Sequence, residues 1–218
     1  MNQADVLFVF DVGGVLIELD PAARDAALIA GRKADAGHPD FTALPRGLMR
    51  DFRLGLVDER AYLAALSAHF DVSTETILAA EDAYIAGIHA DMVGFVRILK
   101  QRYRVVCLSN TQAIHWRRVS QSLLGPDLFH ADYLSHLLHQ EKPDPAIYRT
   151  LVAAEAAQDR RIIFIDDTGE NIDAARNLGW TDALLHVSPG DTIAAVADLL
   201  GLPDETDPDE EPAAGTRH

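Results

Sequence analysis

Residues that could do chemistry stand directly after short apolar runs of this sequence. They are a carboxylate, a hydroxyl, a lysine and an acid pair, namely Asp11, Ser109, Lys142 and Asp166–Asp167. A carboxylate can act as a nucleophile, a lysine can hold an anion, and paired acids can bind a hard cation. Each has an ordinary alternative, because Asp11 could cap a turn and Ser109 could begin a helix. Their common position after apolar runs favours a shared site.

Five apolar runs would position these side chains. The runs are VLFVF, RVVCL, ADYLS, RIIFI and ALLHV, of which ADYLS is the weakest, and segments with helical periodicity lie between them. Strands that alternate with helices predict an α/β fold, here a Rossmann-like, doubly wound parallel sheet of about five strands. Ligands of such sheets bind beyond the carboxyl ends of the strands. The polar residues that follow the strands are therefore expected to meet at one edge.

One long segment interrupts the alternation. Residues 21–89 are rich in alanine, show helical spacing and contain no strand candidate, so we predict a helical cap inserted after the first strand. Residues 1–20 and 90–202 would then form the α/β core domain. Residues 203–218 are rich in proline and acids and have little to bury, which predicts a mobile acidic tail.

The composition limits the partners and the compartment. The 218 residues carry a formal net charge of −15, which argues against nucleic acid and an anionic membrane surface as partners. No apolar run is long enough for a transmembrane helix. A single cysteine, Cys107, excludes an internal disulfide and favours a cytoplasmic location. The chain is expected to act as a monomer or a homodimer.

Four motifs taken together resemble one enzyme superfamily. FDVGGVL, LSNT, KPDPAIY and FIDDTGENIDAA follow the order of the site motifs of haloacid dehalogenase-like (HAD) hydrolases, and the resemblance covers residues 5–202. The D-x-G after the first strand is similar to that of helical-cap phosphatases of the glucose-1-phosphate phosphatase type. The resemblance implies a Mg²⁺-dependent phosphatase that acts on a small phosphorylated metabolite, such as a sugar phosphate, through an aspartyl-phosphate intermediate.

The resemblance also implies roles for individual residues. Asp11 would be the nucleophile, and Lys142 would balance the charge of this carboxylate and of the phosphoryl group. Substrate binding would fall to the residues that follow the strands, namely Val12, Gly13, Ser109, Asn110 and Lys142.

The implied Mg²⁺ site uses oxygen ligands. It would consist of Asp11, the backbone oxygen of Gly13 and Asp167, with Asp166 as the alternative ligand or a supporting residue. Asn110 and Asn171 are expected to support the site if they do not contact the substrate.

Gly13 departs from the pattern of most phosphatases of this superfamily, which have an aspartate there. That aspartate protonates the leaving oxygen, and general acid–base groups contribute about 10²–10⁴-fold to rates. Here the leaving oxygen departs with little proton assistance, or a water molecule or a cap residue supplies the proton.

Two other functions compete with the phosphatase: a metal-free 2-haloacid dehalogenase with the same nucleophile, and a catalytically weak phospho-ligand binder. The acid pair at 166–167 argues against the first, and Gly13 alone supports the second.

Overall fold

Five parallel strands form the centre of the protein. The computed structural model describes residues 5–32 and 47–202. The strands of the main sheet are β1 (Val6–Phe10), β4 (Arg104–Ser109), β5 (Asp132–Leu134), β6 (Arg161–Asp166) and β7 (Asp182–Leu185). Two further strands, β2 (Ile17–Leu19) and β3 (Ile85–Ile88), form a separate ribbon. The main sheet has the order β5-β4-β1-β6-β7, and every neighbouring pair in it is parallel. The predicted α/β fold with a sheet of about five parallel strands is confirmed.

Helices lie between the strands. Those of the described residues are α1 (Pro21–Ala30), α2 (Leu48–Arg53), α3 (Glu59–Phe70), α4 (Thr74–Ala83), α5 (Ala90–Lys100), α6 (Ala113–Arg118), α7 (Ser135–Leu138), α8 (Pro145–Ala154), α9 (Gly169–Asn177) and α10 (Pro189–Leu200). A π-helical turn, Val119–Leu123, continues α6. Helix α8 begins where Pro145 follows Asp144, whose carboxylate accepts the Ala146 N–H at 2.8 Å. No described helix combines the length and apolar character that a membrane span requires.

The core has two faces because side chains alternate along each strand. Phe8 and Phe10 of β1 pack on one face with residues of α5 and α10, including Val96 and Val196. The intervening positions of β1 pack on the other face with residues of α8 and α9, and all five β1 side chains are buried. A strand buried on both faces reads as a continuous apolar run, which explains why this strand is visible in the sequence.

The segment after β1 differs from the prediction. Residues 21–89 were expected to contain no strand, which is wrong, because β3 pairs with β2 as an antiparallel ribbon with the register Ile17↔Ile88 and Glu18↔Gly87. Both strands are very short, and β3 begins two residues after α4 ends. Such a pair is stable through tertiary contacts rather than through its own sequence. The ribbon connects the loop after Asp11 with the start of α5.

The described helices before β3 have a core of their own. Leu28, Phe52, Leu66 and Phe70 are buried there together, and Ile114 of α6 joins this cluster. The predicted cap at residues 21–89 stays a prediction, and residues 33–46 lie outside the described part of the chain. The predicted tail at 203–218 also lies outside it. The domain boundaries stay predictions.

Candidate active site

The predicted site residues meet at the carboxyl edge of the sheet. Asp11 follows β1 and is held by a 2.8 Å hydrogen bond from its N–H to the Ile165 carbonyl of β6. Ser109 and Asp166 are the last residues of their strands. Lys142 comes from the loop between α7 and α8, and its side chain is fully buried. Parallel pairing of β1 with β4 and β6 brings these residues together from distant parts of the chain.

Lys142 joins two carboxylates. Its Nζ lies 3.0 Å from Oδ1 of Asp11 and 2.6 Å from Oδ2 of Asp166. Oδ1 of Asp11 also accepts the Val12 N–H at 2.7 Å. Both contacts of the Asp11 carboxylate fall on the same oxygen, so they fix its plane. A buried ammonium between two carboxylates provides positive charge at the position where an anionic group would approach Asp11.

Negative charges outnumber positive charges in this cluster. The pKa of Asp11 is raised to about 6, chiefly by burial and also by the neighbouring Asp166, against the opposing effect of Lys142. Burial alone would lower the pKa of Lys142, but Asp11 and Asp166 together outweigh it, so this pKa is raised. The lysine therefore keeps its charge. The acids outnumber the cation that faces them, which leaves a deficit of positive charge at the site.

Asp166 is saturated with donors. Its Oδ1 accepts from the Thr168 N–H at 2.8 Å and from Asn171 Nδ2 at 2.9 Å. Its Oδ2 accepts from Lys142 Nζ at 2.6 Å and from Asn171 Nδ2 at 3.1 Å. The side chain has no exposed surface. A carboxylate has about four acceptor sites, so these contacts favour the supporting alternative for Asp166 over metal ligation.

Asp167 is placed differently. It is exposed, and a side chain added at Gly14 would overlap its carboxylate. Oxygen atoms of Asp11, Asp166 and Asp167 lie within 4.8 Å of one another. Three neighbouring carboxylates, two of them in contact with Lys142 and the third open to solvent, form an oxygen-donor set that fits a hard divalent cation such as Mg²⁺. Asp11 and Asp167 are the two of these carboxylates that have room for it.

Asn110 contacts the backbone of Lys142 in the structure. Its Nδ2 donates to the Lys142 carbonyl at 2.8 Å, and its Oδ1 accepts the Lys142 N–H at 2.8 Å. This double contact fixes the backbone that carries the lysine, which favours the supporting role over the predicted contact with substrate. Ser109, by contrast, is buried beside a cavity next to the site. Its predicted role in substrate binding stays a prediction.

The loop after Asp11 is tightly turned. The Val12 carbonyl accepts the N–H groups of Leu16 and Ile17 at 2.8 and 2.9 Å, and the Gly14 N–H donates to Ile17 at 2.9 Å. Since the Val12 N–H already contacts Asp11, the predicted binding of a phosphoryl oxygen by Val12 would require that contact to be exchanged. The roles predicted for Val12 and Gly13 stay predictions.

Residues of α2 contact the loop that carries the lysine. Arg50 and Arg53 of α2 form ion pairs with Glu141, with N–O distances of 2.6 and 2.8 Å. Nearby, Oγ of Ser135 donates to the Arg53 carbonyl at 2.8 Å. The residue that precedes Lys142 is thus held by the helical segment.

A second polar pair links α4 to α6, and the sequence did not predict it. Nε2 of His115 in α6 lies 2.7 Å from Oε2 of Glu81 in α4, and Glu81 is only 5% exposed. Glu81 follows Ile77 by four residues and Ala80 by one, on the buried face of α4. A carboxylate at an apolar helical position is a signal for a buried partner, and it could have been noticed in the sequence.

The fold and the edge position of these residues define an α/β enzyme with its site at the switch point of a parallel sheet. Residues 6–179 match the haloacid dehalogenase-like hydrolase family, and the chain belongs to that family. It is therefore a hydrolase of this type.

Solved structures with the same fold agree with this assignment. An HAD family enzyme from Bacteroides thetaiotaomicron, solved with magnesium and inorganic phosphate, has a TM-score of 0.74 at 24% identity, with 83% of this chain and 93% of that chain covered. An HAD-like family hydrolase from Porphyromonas gingivalis has a TM-score of 0.75 at 24% identity, with coverage of 89% and 97%. A 2-haloacid dehalogenase from Pseudomonas syringae pv. tomato has a TM-score of 0.60 at 18% identity, with coverage of 91% and 100%. These likenesses show the shared fold.

Proposed function

We propose that this HAD-like hydrolase is a Mg²⁺-dependent phosphatase that acts on a small phosphorylated metabolite. Asp11 is the nucleophile of the proposed reaction, and an aspartyl-phosphate is its intermediate. The observation that carries the proposal is the charge arrangement at the carboxyl edge, where Lys142 bridges Asp11 and Asp166 and the three acids lie within 4.8 Å of one another.

The metal would be held by Asp11 and Asp167, with the backbone oxygen of Gly13 as a further ligand. When bound, Mg²⁺ offsets the negative charge of the acids and of the phosphoryl group, so that two anions can approach each other. The Bacteroides structure with magnesium and inorganic phosphate supports this choice of metal and ligand.

The other roles in the proposed reaction fall to residues of the chain. Lys142 pairs with the attacking carboxylate and then with the phosphoryl oxygens, and its raised pKa keeps it protonated throughout. Asp166 holds the side chain of this lysine and Asn110 holds its backbone, while Asn171 donates to Asp166. Ser109 donates its hydroxyl to a phosphoryl oxygen. Attack by Asp11 releases the alcohol, and water then cleaves the acyl-phosphate.

The substrate is proposed to be small. A cavity of about 100 Å³ adjoins Val12, Gly13 and Ser109, beside the nucleophile. This small volume supports a small leaving group. The D-x-G resemblance to the glucose-1-phosphate phosphatase type supports a sugar phosphate as one candidate.

The acid cluster supports this function over the dehalogenase alternative. A dehalogenase of this family needs no metal, and a metal-free site has no reason to collect three carboxylates within 4.8 Å of one another. The catalytically weak binder rests only on the glycine at position 13.

The test measures the release of phosphate and of halide, each with and without Mg²⁺. Phosphate release from a panel of small phosphomonoesters, dependent on Mg²⁺ and abolished by EDTA, is the expected result. Halide release from 2-chloropropionate that is unaffected by EDTA would favour the dehalogenase. Saturable binding of phosphomonoesters without turnover would favour the binder.

A further inference from the structure

The proposed phosphatase reaction needs a proton at the leaving oxygen, and Gly13 has no side chain to supply it. The cavity beside Gly13 is lined by residues of the loops that follow β1 and β4. Its lining also includes Leu19, Tyr84, His115 and Trp116. Among its described lining residues, His115 and Tyr84 carry the titratable groups. Only a histidine exchanges protons readily near neutral pH.

His115 is held in a fixed orientation. Its Nε2 contacts Oε2 of Glu81 at 2.7 Å, and the second oxygen of Glu81 accepts the Tyr62 hydroxyl at 3.4 Å. Tyr62 has no exposed surface, and the His115 side chain is 14% exposed. A buried carboxylate that binds one imidazole nitrogen sets the tautomer and the orientation of the ring. Nδ1 is then the nitrogen available for proton exchange.

The other charges near this pair have partners of their own. Arg118 pairs with Asp82, and Arg117 pairs with Glu59 at 2.9 Å. The remaining cation, Arg24, lies 5.0 Å from the centre of the Tyr84 ring, whose centroid is 5.4 Å from that of His115. The Glu81 carboxylate contacts the His115 ring and the Tyr62 hydroxyl. This arrangement is that of a carboxylate and histidine pair in general acid–base catalysis.

We propose that His115, oriented by Glu81, is the acid and base of this enzyme in place of the absent side chain at position 13. The proposal rests on the phosphatase function. While the Asp11–phosphorus bond forms and the bond to the leaving oxygen breaks, the imidazolium gives its Nδ1 proton to that oxygen, which departs as an alcohol. The neutral imidazole then takes a proton from the water whose oxygen bonds to phosphorus as the Asp11–phosphorus bond breaks. Glu81 and Tyr62 are positioning residues.

The test is a leaving-group series measured on the wild-type protein and on His115→Gln, whose amide can still donate to Glu81. The substrates are alkyl phosphates and substituted phenyl phosphates, and the quantity is kcat/KM with Mg²⁺ present. We expect a loss of about 10²–10⁴-fold for alkyl esters. For 4-nitrophenyl phosphate, whose leaving group needs little protonation, only a small loss is expected. An equal loss across the series, or no loss, would show that His115 merely ties α6 to α4.

A second variant tests position 13, whose missing side chain His115 is proposed to replace. The backbone of Gly13 does not have a positive φ, and an added Cβ would meet only the Leu19 Cδ1 atom, at 3.3 Å. Gly13→Asp in the His115→Gln background should therefore restore hydrolysis of alkyl esters more than that of 4-nitrophenyl phosphate. Restoration of both substrates by the same factor would contradict a proton-donor role.

The positioning role of Glu81 has its own readout. Glu81→Gln removes the carboxylate that orients His115. The pH profile of kcat/KM for alkyl esters should change, and an unchanged profile would contradict the role. Arg117→Gln, which breaks the exposed contact with Glu59 two residues further along α6, is the matched control. It should leave both the pH profile and the leaving-group series unchanged.

The results separate this proposal from the one on which it rests. A wild-type protein that releases phosphate, together with a uniform effect of His115→Gln, contradicts only the donor role. A wild-type protein that releases no phosphate from any ester in the series, with or without Mg²⁺, contradicts the phosphatase function and the donor role together.

Discussion

The carboxylate of Asp167 occupies the space into which a side chain at Gly14 would project. Gly14 also has a φ of +78°, in the left-handed region that residues with a Cβ adopt at a cost. The glycine therefore serves two needs at once: it turns the chain after the nucleophile, and it admits the exposed acid of the site.

Gly14→Ala tests this relationship. The added methyl group should displace Asp167 and reduce Mg²⁺-dependent activity at least about 10-fold, and the strained φ should lower the free energy of unfolding by about 1–2 kcal/mol. Activity as a function of Mg²⁺ concentration and thermal unfolding are the measurements. Gly94→Ala is the control, because nothing lies within 4 Å of its added Cβ, in the middle of α5. It should stabilise the protein by about 0.5–1 kcal/mol and leave activity unchanged.

Asp11→Asn should abolish turnover, because an amide cannot form the acyl-phosphate. The fold should persist, since Lys142 keeps its 2.6 Å contact with Asp166. Circular dichroism and phosphate release measured on the same sample decide the matter. Activity near that of the wild-type protein would disprove the assignment of the nucleophile.

The same variant has an expected pH signature in EDTA. Because burial raises the pKa of Asp11 to about 6, this group favours the folded state while it is protonated. Its contribution is lost as pH rises from about 4, its ordinary value, to about 6. The melting temperature of the wild-type protein should therefore fall relative to that of Asp11→Asn across this range. Parallel curves for the two proteins would show that Asp11 is not perturbed.

Adjacent acids provide a matched pair for the metal. Asp167→Asn removes an exposed carboxylate and should weaken Mg²⁺ activation with little effect on the melting temperature. Asp166→Asn leaves the buried Lys142 with one carboxylate fewer and should destabilise the protein by about 3–5 kcal/mol. An unchanged Mg²⁺ titration in Asp167→Asn would move the ligand assignment to Asp166. Asp173→Asn, at an exposed position of α9, is the control.

Glu141→Gln tests the contact between the cap and the lysine loop. The Glu141 side chain is 13% exposed and has two arginine partners, whereas Glu59 is 36% exposed and pairs with Arg117 alone. We expect Glu141→Gln to cost about 1–2 kcal/mol and to lower kcat more than it changes KM. Glu59→Gln should cost less than about 1 kcal/mol and leave kcat unchanged. Equal effects of the two changes would mean that the lysine loop does not depend on α2.

The sequence predicted the main sheet and the residues at its edge. Strands buried on both faces leave contiguous apolar runs, and each of the five runs became a strand of the sheet. The ribbon of β2 and β3 escaped prediction, because Ile17–Leu19 and Ile85–Ile88 are too short to carry a pattern. Their pairing depends on contacts between segments about seventy residues apart.

Two features of the site required three-dimensional information. Asp166 and Asp167 are equivalent in the sequence, and only the direction in which each leaves the strand buries one and exposes the other. Glu81 and His115 are 34 residues apart, on helices whose packing determines whether they meet. The glycine at position 13 indicated that a proton donor was missing, but the identity of a substitute depends on the walls of the cavity beside it.

The ion pairs of Arg50 and Arg53 with Glu141 also bear on how such an enzyme can be re-engineered. A cap exchanged for that of a relative would carry away both arginines and leave Glu141 facing a foreign surface beside Lys142. A functional chimera would therefore have to transfer the segment from Ser135 to Glu141 together with the cap. The unit of modularity in this chain is larger than the helical insertion, and a new substrate range would be obtained most readily by exchange of both pieces at once.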